Sequence, residues 1–226
     1  MSEKTANGLK LRNLIDFADL PEGVFVRQVE WSTYSSQDLS AFLTEEELVR
    51  RAEMKHSGRR NGFSLGRIAL RSLLSDLLSM PASKVALVTA PSGQLLNPDS
   101  GFHISLAHSG ETAIAVAARF SVGIDLEEVR SKPLELLDYI LADSEKDHID
   151  SLNVLDSHRL FLCWTLKEAV LKGMGVGLRS SPNKVKLHVD TRTQSAIIED
   201  PTQQEWQARY CISGSWISAL AFQTEK

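Results

Sequence analysis

Apolar and polar residues alternate over 24–31, the period of a half-buried strand. After Leu43 the period changes. Thr44, with Glu47 three residues later, has the form of a capping box and predicts a helix running toward Lys55, with Gly58 as its breaker. Phe63, Leu70, Leu73, Leu74, Leu77 and Leu78 recur at helical spacing, so 60–78 is predicted as a strong helix, ended by Pro81. Short strands are expected over 85–89, 102–106, 112–119 and 122–127, separated by turn signals at 91–93 and 97–99. A helical segment follows Pro133, and a stronger one spans 157–172 before three glycines stop it. The remainder reads as four strands over 185–189, 195–198, 206–212 and 216–222. Both halves thus carry strands and a long helix in a similar order, without a visible sequence repeat.

Composition narrows this only slightly. The chain has 226 residues, 42% hydrophobic and 24% charged, which excludes a wholly disordered chain and allows one large domain or two small ones. The net charge of −4 argues against a globally basic nucleic-acid binder. Cys163 and Cys211 are far apart, with no CxxC, and read as two thiols of a reducing compartment. The opening residues lack a basic region followed by an apolar one, and the longest apolar run, 113–118, is too short to span a bilayer. The expectation is a soluble, cytoplasmic protein with no membrane or nucleic-acid partner.

Four segments carry candidate chemistry. In Val122-Gly123-Ile124-Asp125-Leu126-Glu127, strand alternation puts Asp125 and Glu127 on one face and Ile124 and Leu126 on the other. Paired carboxylates can hold a hard cation such as Mg²⁺, or form a solvated acidic face. On the helix after Trp164, Phe161, Thr165, Glu168 and Lys172 share a face, so Glu168 and Lys172 read as an i, i+4 ion pair or as a further ligand and a phosphate-binding cation. The His108-Ser109-Gly110 turn can offer an imidazole, a hydroxyl and backbone N–H groups to an anion. Arg50, Arg51, Lys55, Arg59, Arg60, Arg67 and Arg71 form a basic stretch that suits a phosphate or an acidic protein surface.

Order and spacing together resemble the Sfp-type 4′-phosphopantetheinyl transferases. That family carries an (I/L)SHSG turn, a VGID(I/L)E strand and a W(T/S)xKE(A/S)xxK helix running into a glycine-rich loop. Here they stand as Leu106-Ala107-His108-Ser109-Gly110, Val122 to Glu127, and Trp164 to Lys172 followed by Gly175-Val176-Gly177-Leu178. Arg59-Arg60 and Gly66-Arg67 fit the family's upstream helix, so the resemblance covers roughly 43–180. The sequence departs at Gly93-Gln94-Leu95, where Gly-Lys-Pro is common, at Ala107 and at Val176.

The resemblance implies transfer of the phosphopantetheine arm of coenzyme A to a serine of an apo acyl or peptidyl carrier protein, releasing adenosine 3′,5′-bisphosphate. It implies Mg²⁺ held by Asp125, Glu127 and Glu168, with Glu168 as base. Lys172, Lys167, His108 and Ser109 are expected at the phosphates, and Arg60 or Arg59 at the 3′-phosphate. A non-catalytic module binding coenzyme A or carrier protein is the alternative. The implied fold is α+β: a pseudo-dimer of two similar subdomains, 1–121 and 122–226, each a helix on a small, mostly antiparallel sheet. Its single site lies at the junction, in a monomer. Leu134, Leu136, Leu137, Tyr139 and Ile140 are expected in the core, or else as a dock for a partner helix.

Overall fold

A Cβ added to Gly123 would fall 2.0 Å from the carbonyl oxygen of Ala169 and 2.5 Å from the amide of Gly173. Only glycine lets a helix backbone rest this closely on a strand. This contact joins the two segments that carry the candidate carboxylates, and the rest of the fold is arranged around it. The computed structural model describes residues 14–35, 37–176 and 180–223; Gly177 and Leu178 of the glycine-rich loop lie outside them.

The first half opens with β1 (Phe25–Glu30) and α1 (Trp31–Tyr34), then α2 (Glu45–Ala52) and α3 (Ser57–Leu78). Strands β2 (Val88–Thr89) and β3 (Leu95–Leu96) form a small hairpin, followed by β4 (His103–Ser109) and β5 (Thr112–Ala118). An antiparallel sheet in the order β1-β5-β4 carries α3 on one face. Leu65, Ile68, Leu70 and Leu74 of α3 pack there against Ala113, Ala115 and Ala117. The second half runs through β6 (Val122–Glu128), α4 (Leu137–Ile140), α5 (Lys146–Asp150) and α6 (Asp156–Gly173). It ends in β7 (Lys186–Asp190), β8 (Ser195–Glu199), β9 (Glu205–Ser213) and β10 (Trp216–Phe222). These strands form a five-stranded antiparallel sheet ordered β6-β10-β9-β8-β7, with α6 across it.

Both halves therefore repeat one plan, a long helix on an antiparallel sheet, as expected. They meet where β4 lies against β6, and the Ile124 N–H donates to Ser105 Oγ at 3.2 Å. Between the sheets, Ile114, Val116, Ile124, Leu126 and Leu220 form a shared core.

The capping box is present: Glu47 N–H donates to Thr44 Oγ1 at 3.2 Å, and Thr44 N–H donates to Glu47 Oε2 at 3.0 Å. Gly58, expected as a breaker, lies inside the first turn of α3. Amides in a first turn have no intrahelical acceptor, so glycine costs little there. The strand expected over 85–89 shrinks to two residues. Val85 is diverted, its side chain buried and its carbonyl accepting from Arg71 Nε at 3.1 Å. Helix α6 buries the apolar residues Leu162, Leu166, Ala169 and Val170. Residues all round it are buried, including Lys167 and Glu168, so no single face is solvent-exposed. After Pro133 the chain makes only a 3-10 turn and the short α4. Ile140 is buried and Leu137 packs on the core, while Leu134, Leu136 and Tyr139 are exposed. No helix among the described residues is long and apolar enough to cross a membrane.

Candidate functional site

Strand β6 and helix α6 build an acidic cluster beneath the junction. Alternation sends Ile124 and Leu126 into the shared core, leaving Asp125 and Glu127 on the face that meets α6. Asp125 and Glu168 are nearly buried, at 5% and 6% exposure. Lys172 Nζ donates to Asp125 Oδ1 at 2.6 Å, and the Trp164 indole N–H donates to Glu127 Oε1 at 3.2 Å. The ion pair of Lys172 is therefore with the strand, not with Glu168 one turn earlier on its own helix. Trp164 was read from sequence only as part of the motif. Its position four residues before Glu168, on the same face, was the signal for its contact.

Electrostatics mark the cluster as short of positive charge. Burial, and then the neighbouring Asp125 carboxylate, push the Glu168 carboxyl up to about 7. Burial and Asp125 also raise Glu127. Lys172 opposes the rise at both carboxyls without cancelling it. Asp125 Oδ2 and Glu168 Oε1 are buried and have no hydrogen-bond partner among the described residues. Two orphaned carboxylate oxygens beside a third acid are the donor set a hard cation takes, so the residues fit a divalent ion such as Mg²⁺. Among the described residues no three such side chains already form a metal cage. Asp125 and Glu127 turn instead to Lys172 and Trp164.

Above the cluster lies a cleft of about 540 Å³, lined in part by Arg50, Phe63 and Arg67 of the first half, His108 of β4 and Lys172 of α6. The Arg67 guanidinium stacks over the Phe63 ring at 3.7 Å. Its Nε donates to Glu47 Oε1 at 3.2 Å, so the capping-box glutamate also aims an arginine at the cleft. His108 packs on α3, where a Cβ at Gly62 would lie 2.8 Å from Nδ1. Burial first, then the cations Lys172 and Arg67, hold the imidazole below its ordinary pKa. His108 is thus a neutral N–H donor at neutral pH.

Several expected residues are placed elsewhere. Lys167 is fully buried on the opposite side of α6, its Nζ donating to Glu145 Oε2 at 2.8 Å and to the Ile140 carbonyl at 2.7 Å. It holds the structure together and does not face the cleft. Neither Arg59 nor Arg60 lines the cleft; Arg50 and Arg67 do. Arg59 is exposed near the start of α3, and Arg60 turns back to the Met54 carbonyl at 3.5 Å. The spacing of Phe63, Arg67 and Leu70 at i, i+4, i+7 was the signal for the true lining face. Ser109 leaves β4 on the face opposite His108 and is not part of the lining. The basic stretch is also not one solvated strip. Arg71 is 2% exposed, its Nη1 donating to Glu47 Oε2 at 2.5 Å and to the Phe42 carbonyl at 2.6 Å.

Residues 121–221 match the model of the 4′-phosphopantetheinyl transferase superfamily, and this stretch contains all three acids and Lys172. The chain is 33% identical over 150 residues to the 4′-phosphopantetheinyl transferase HetI of Nostoc, covering 63% of each chain. It is 26% identical over 116 residues to the 4′-phosphopantetheinyl transferase psf-1 of Bacillus pumilus, half of each chain. With the 4′-phosphopantetheinyl transferase Sfp of Bacillus subtilis it shares 23% over 163 residues, 70% of this chain and 73% of that one. The matches thus span about half to three quarters of these relatives. The acid cluster falls wholly in the matched stretch, while Arg50, Arg67 and His108 lie outside it.

Proposed function

We propose that the protein transfers the 4′-phosphopantetheine arm of coenzyme A to a serine of an apo acyl or peptidyl carrier protein, releasing adenosine 3′,5′-bisphosphate. One observation carries this reading: three carboxylates, with two oxygens unpartnered among the described residues, are joined to a cation-lined cleft by Lys172. Relatives named as phosphopantetheinyl transferases supply the reaction class.

Asp125, Glu127 and Glu168 would hold Mg²⁺, which supplies charge neutralisation for a pyrophosphate. The chain's own residues account for the rest. His108, kept neutral, donates a hydrogen bond to a pyrophosphate oxygen. Lys172 swings from Asp125 to the phosphate that gains charge as the bond breaks. The serine oxygen forms the new bond to the phosphorus carrying the pantetheine arm, and the bond from that phosphorus to the bridging oxygen breaks. Adenosine 3′,5′-bisphosphate departs with the bond's electron pair. The serine proton passes to Glu168. Arg50 and Arg67 are the first-half groups placed for the ligand's outlying phosphate. This reading puts the subdomain boundary at 121 and 122, the site at the junction, and a cytoplasmic monomer as the working form. Exposed Leu134, Leu136 and Tyr139 then offer an apolar contact to the carrier.

Incubation with coenzyme A, Mg²⁺ and a panel of apo carrier proteins, read by mass spectrometry, tests the proposal. A phosphopantetheine mass gain on at least one carrier is expected. No gain on any carrier would sink it, and release of free phosphopantetheine without carrier would point to hydrolysis instead.

Gly62→Ala offers a check on His108. Alanine favours a helix interior over glycine by roughly 1 kcal/mol, and the clashing atom is a movable ring, so the fold should hold. The ring must shift, and kcat/KM should fall by ~10–100-fold with the melting temperature unchanged or higher. Wild-type kinetics in this variant would remove His108 from the machinery.

A further inference from the structure

The hairpin of the first half reaches across the junction at one side chain. Gln94 stands at the turn between β2 and β3, where its carbonyl accepts from the Ala90 N–H at 2.8 Å. Its side-chain Nε2 donates to the carbonyl oxygen of Lys172 at 3.4 Å. Its Oε1 lies 2.5 Å from where a Cβ on Gly175 would sit, so the amide lies flat against the turn that ends α6. Gly175 has φ +72°, the left-handed conformation that closes a helix end, and its N–H donates to the same Lys172 carbonyl at 3.0 Å.

The last carbonyls of a helix have no N–H donor within the helix and are satisfied by groups beyond it. The carbonyl of Lys172 is one of these, shared by the Gly175 N–H and the Gln94 amide, and it belongs to the residue whose ammonium links the acid cluster to the cleft. Gln94 also lines the cleft itself, beside Ser92, Gly93 and Leu95. One side chain therefore ties the cleft's hairpin wall to the backbone of Lys172.

We propose that Gln94 is a positioning residue: through its N–H donor it holds the final turn of α6, and with it the Lys172 side chain, against the hairpin. This rests on the role given to Lys172 in the proposed transfer. The donor, rather than the bulk of the side chain, does the positioning. Glutamate is nearly isosteric with glutamine but cannot donate when ionised, and it sets a negative charge against the negative end of a helix. Lysine keeps a donor and adds a charge that the helix end favours.

The test compares Gln94→Ala, Gln94→Glu and Gln94→Lys with wild type, by hydrogen exchange over 170–176 and by steady-state transfer kinetics. Exchange in this segment should speed up ~5-fold or more in the alanine and glutamate variants and stay within ~2-fold of wild type in the lysine variant. The same two variants should lose ~5–10-fold in kcat, with the KM for coenzyme A changed less than ~2-fold and the melting temperature unaltered. Wild-type exchange and kcat in Gln94→Glu would overturn the proposal, as would a loss confined to KM. The exchange measurement needs no turnover. If wild type proves inactive while the exchange pattern appears, the transferase reading fails and the latch stands; the reverse result fails the latch alone.

Discussion

Glu168→Gln is expected to abolish transfer by ~10³-fold or more while making the metal-free protein more stable at pH 8. The two effects share one cause. A carboxyl held at about 7 in the fold, against an ordinary value near 4.5, binds its proton more tightly folded than unfolded. Between those values the native state carries the extra proton, so this group's contribution to stability is full below about pH 4.5 and is lost as pH rises through about 7. The loss is roughly 3 kcal/mol for a shift of this size. Glutamine cannot ionise, so most of the slope should vanish, with a smaller part left by Glu127. Urea unfolding in chelator at pH 5 and pH 8 measures the slope, and the carrier mass shift measures transfer. An active Glu168→Gln protein, or one with the wild-type pH slope, would contradict the site as described. The acid cluster is destabilising by itself, as expected of groups assembled to meet a cation.

Lys167→Ala should act in the opposite sense, on the fold and not on the chemistry. Its ammonium is buried against Glu145, which is 3% exposed and also accepts from the amides of Leu187 and Ala142. Removing the lysine leaves an uncompensated carboxylate inside the protein, a loss of about 3–5 kcal/mol. For a chain of this length the melting temperature should drop by on the order of 10 °C. Lys167→Met combined with Glu145→Gln removes both charges and should recover much of that stability. The folded fraction of Lys167→Ala should turn over within ~3-fold of wild type. A stable Lys167→Ala protein with poor turnover would return Lys167 to the phosphate site. The adjacent residues Lys167 and Glu168 thus separate by experiment, one in stability and the other in reaction rate.

How much was legible in advance depended on the range of the contact. Alternation over 122–127 suffices to put Asp125 and Glu127 on one face, because a strand's period of two is a local property. Helical spacing suffices to put Glu168 and Lys172 on one face of α6, and the capping box at Thr44 is equally local. The partner of each group was not legible. Lys172 has an acid four residues away on its own helix, yet it pairs with Asp125, 47 positions distant. Lys167 lies next to a site residue in sequence and on the other side of the helix in space. The basic residues show the same limit. Arg67 and Arg71 share one helix with Arg59 and Arg60, but Glu47 recruits the first two into an internal network.

The sequence by itself determined most of the elements, the carboxylate and cation inventory, and the family that these motifs resemble, since all of these depend on spacing along the chain. Tertiary structure alone decided which charges meet. Gly123 lets α6 sit directly on β6, and that contact brings Lys172 to Asp125 and leaves two carboxylate oxygens without partners among the described residues. Packing also sent Lys167 to Glu145, put Arg50 and Arg67 rather than Arg59 and Arg60 on the cleft, and laid Gln94 across the end of α6. Periodicity tells a side chain which face to take. What lies opposite that face is set by the close approach of elements far apart in the chain, and the burial produced there sets the charge each group can hold.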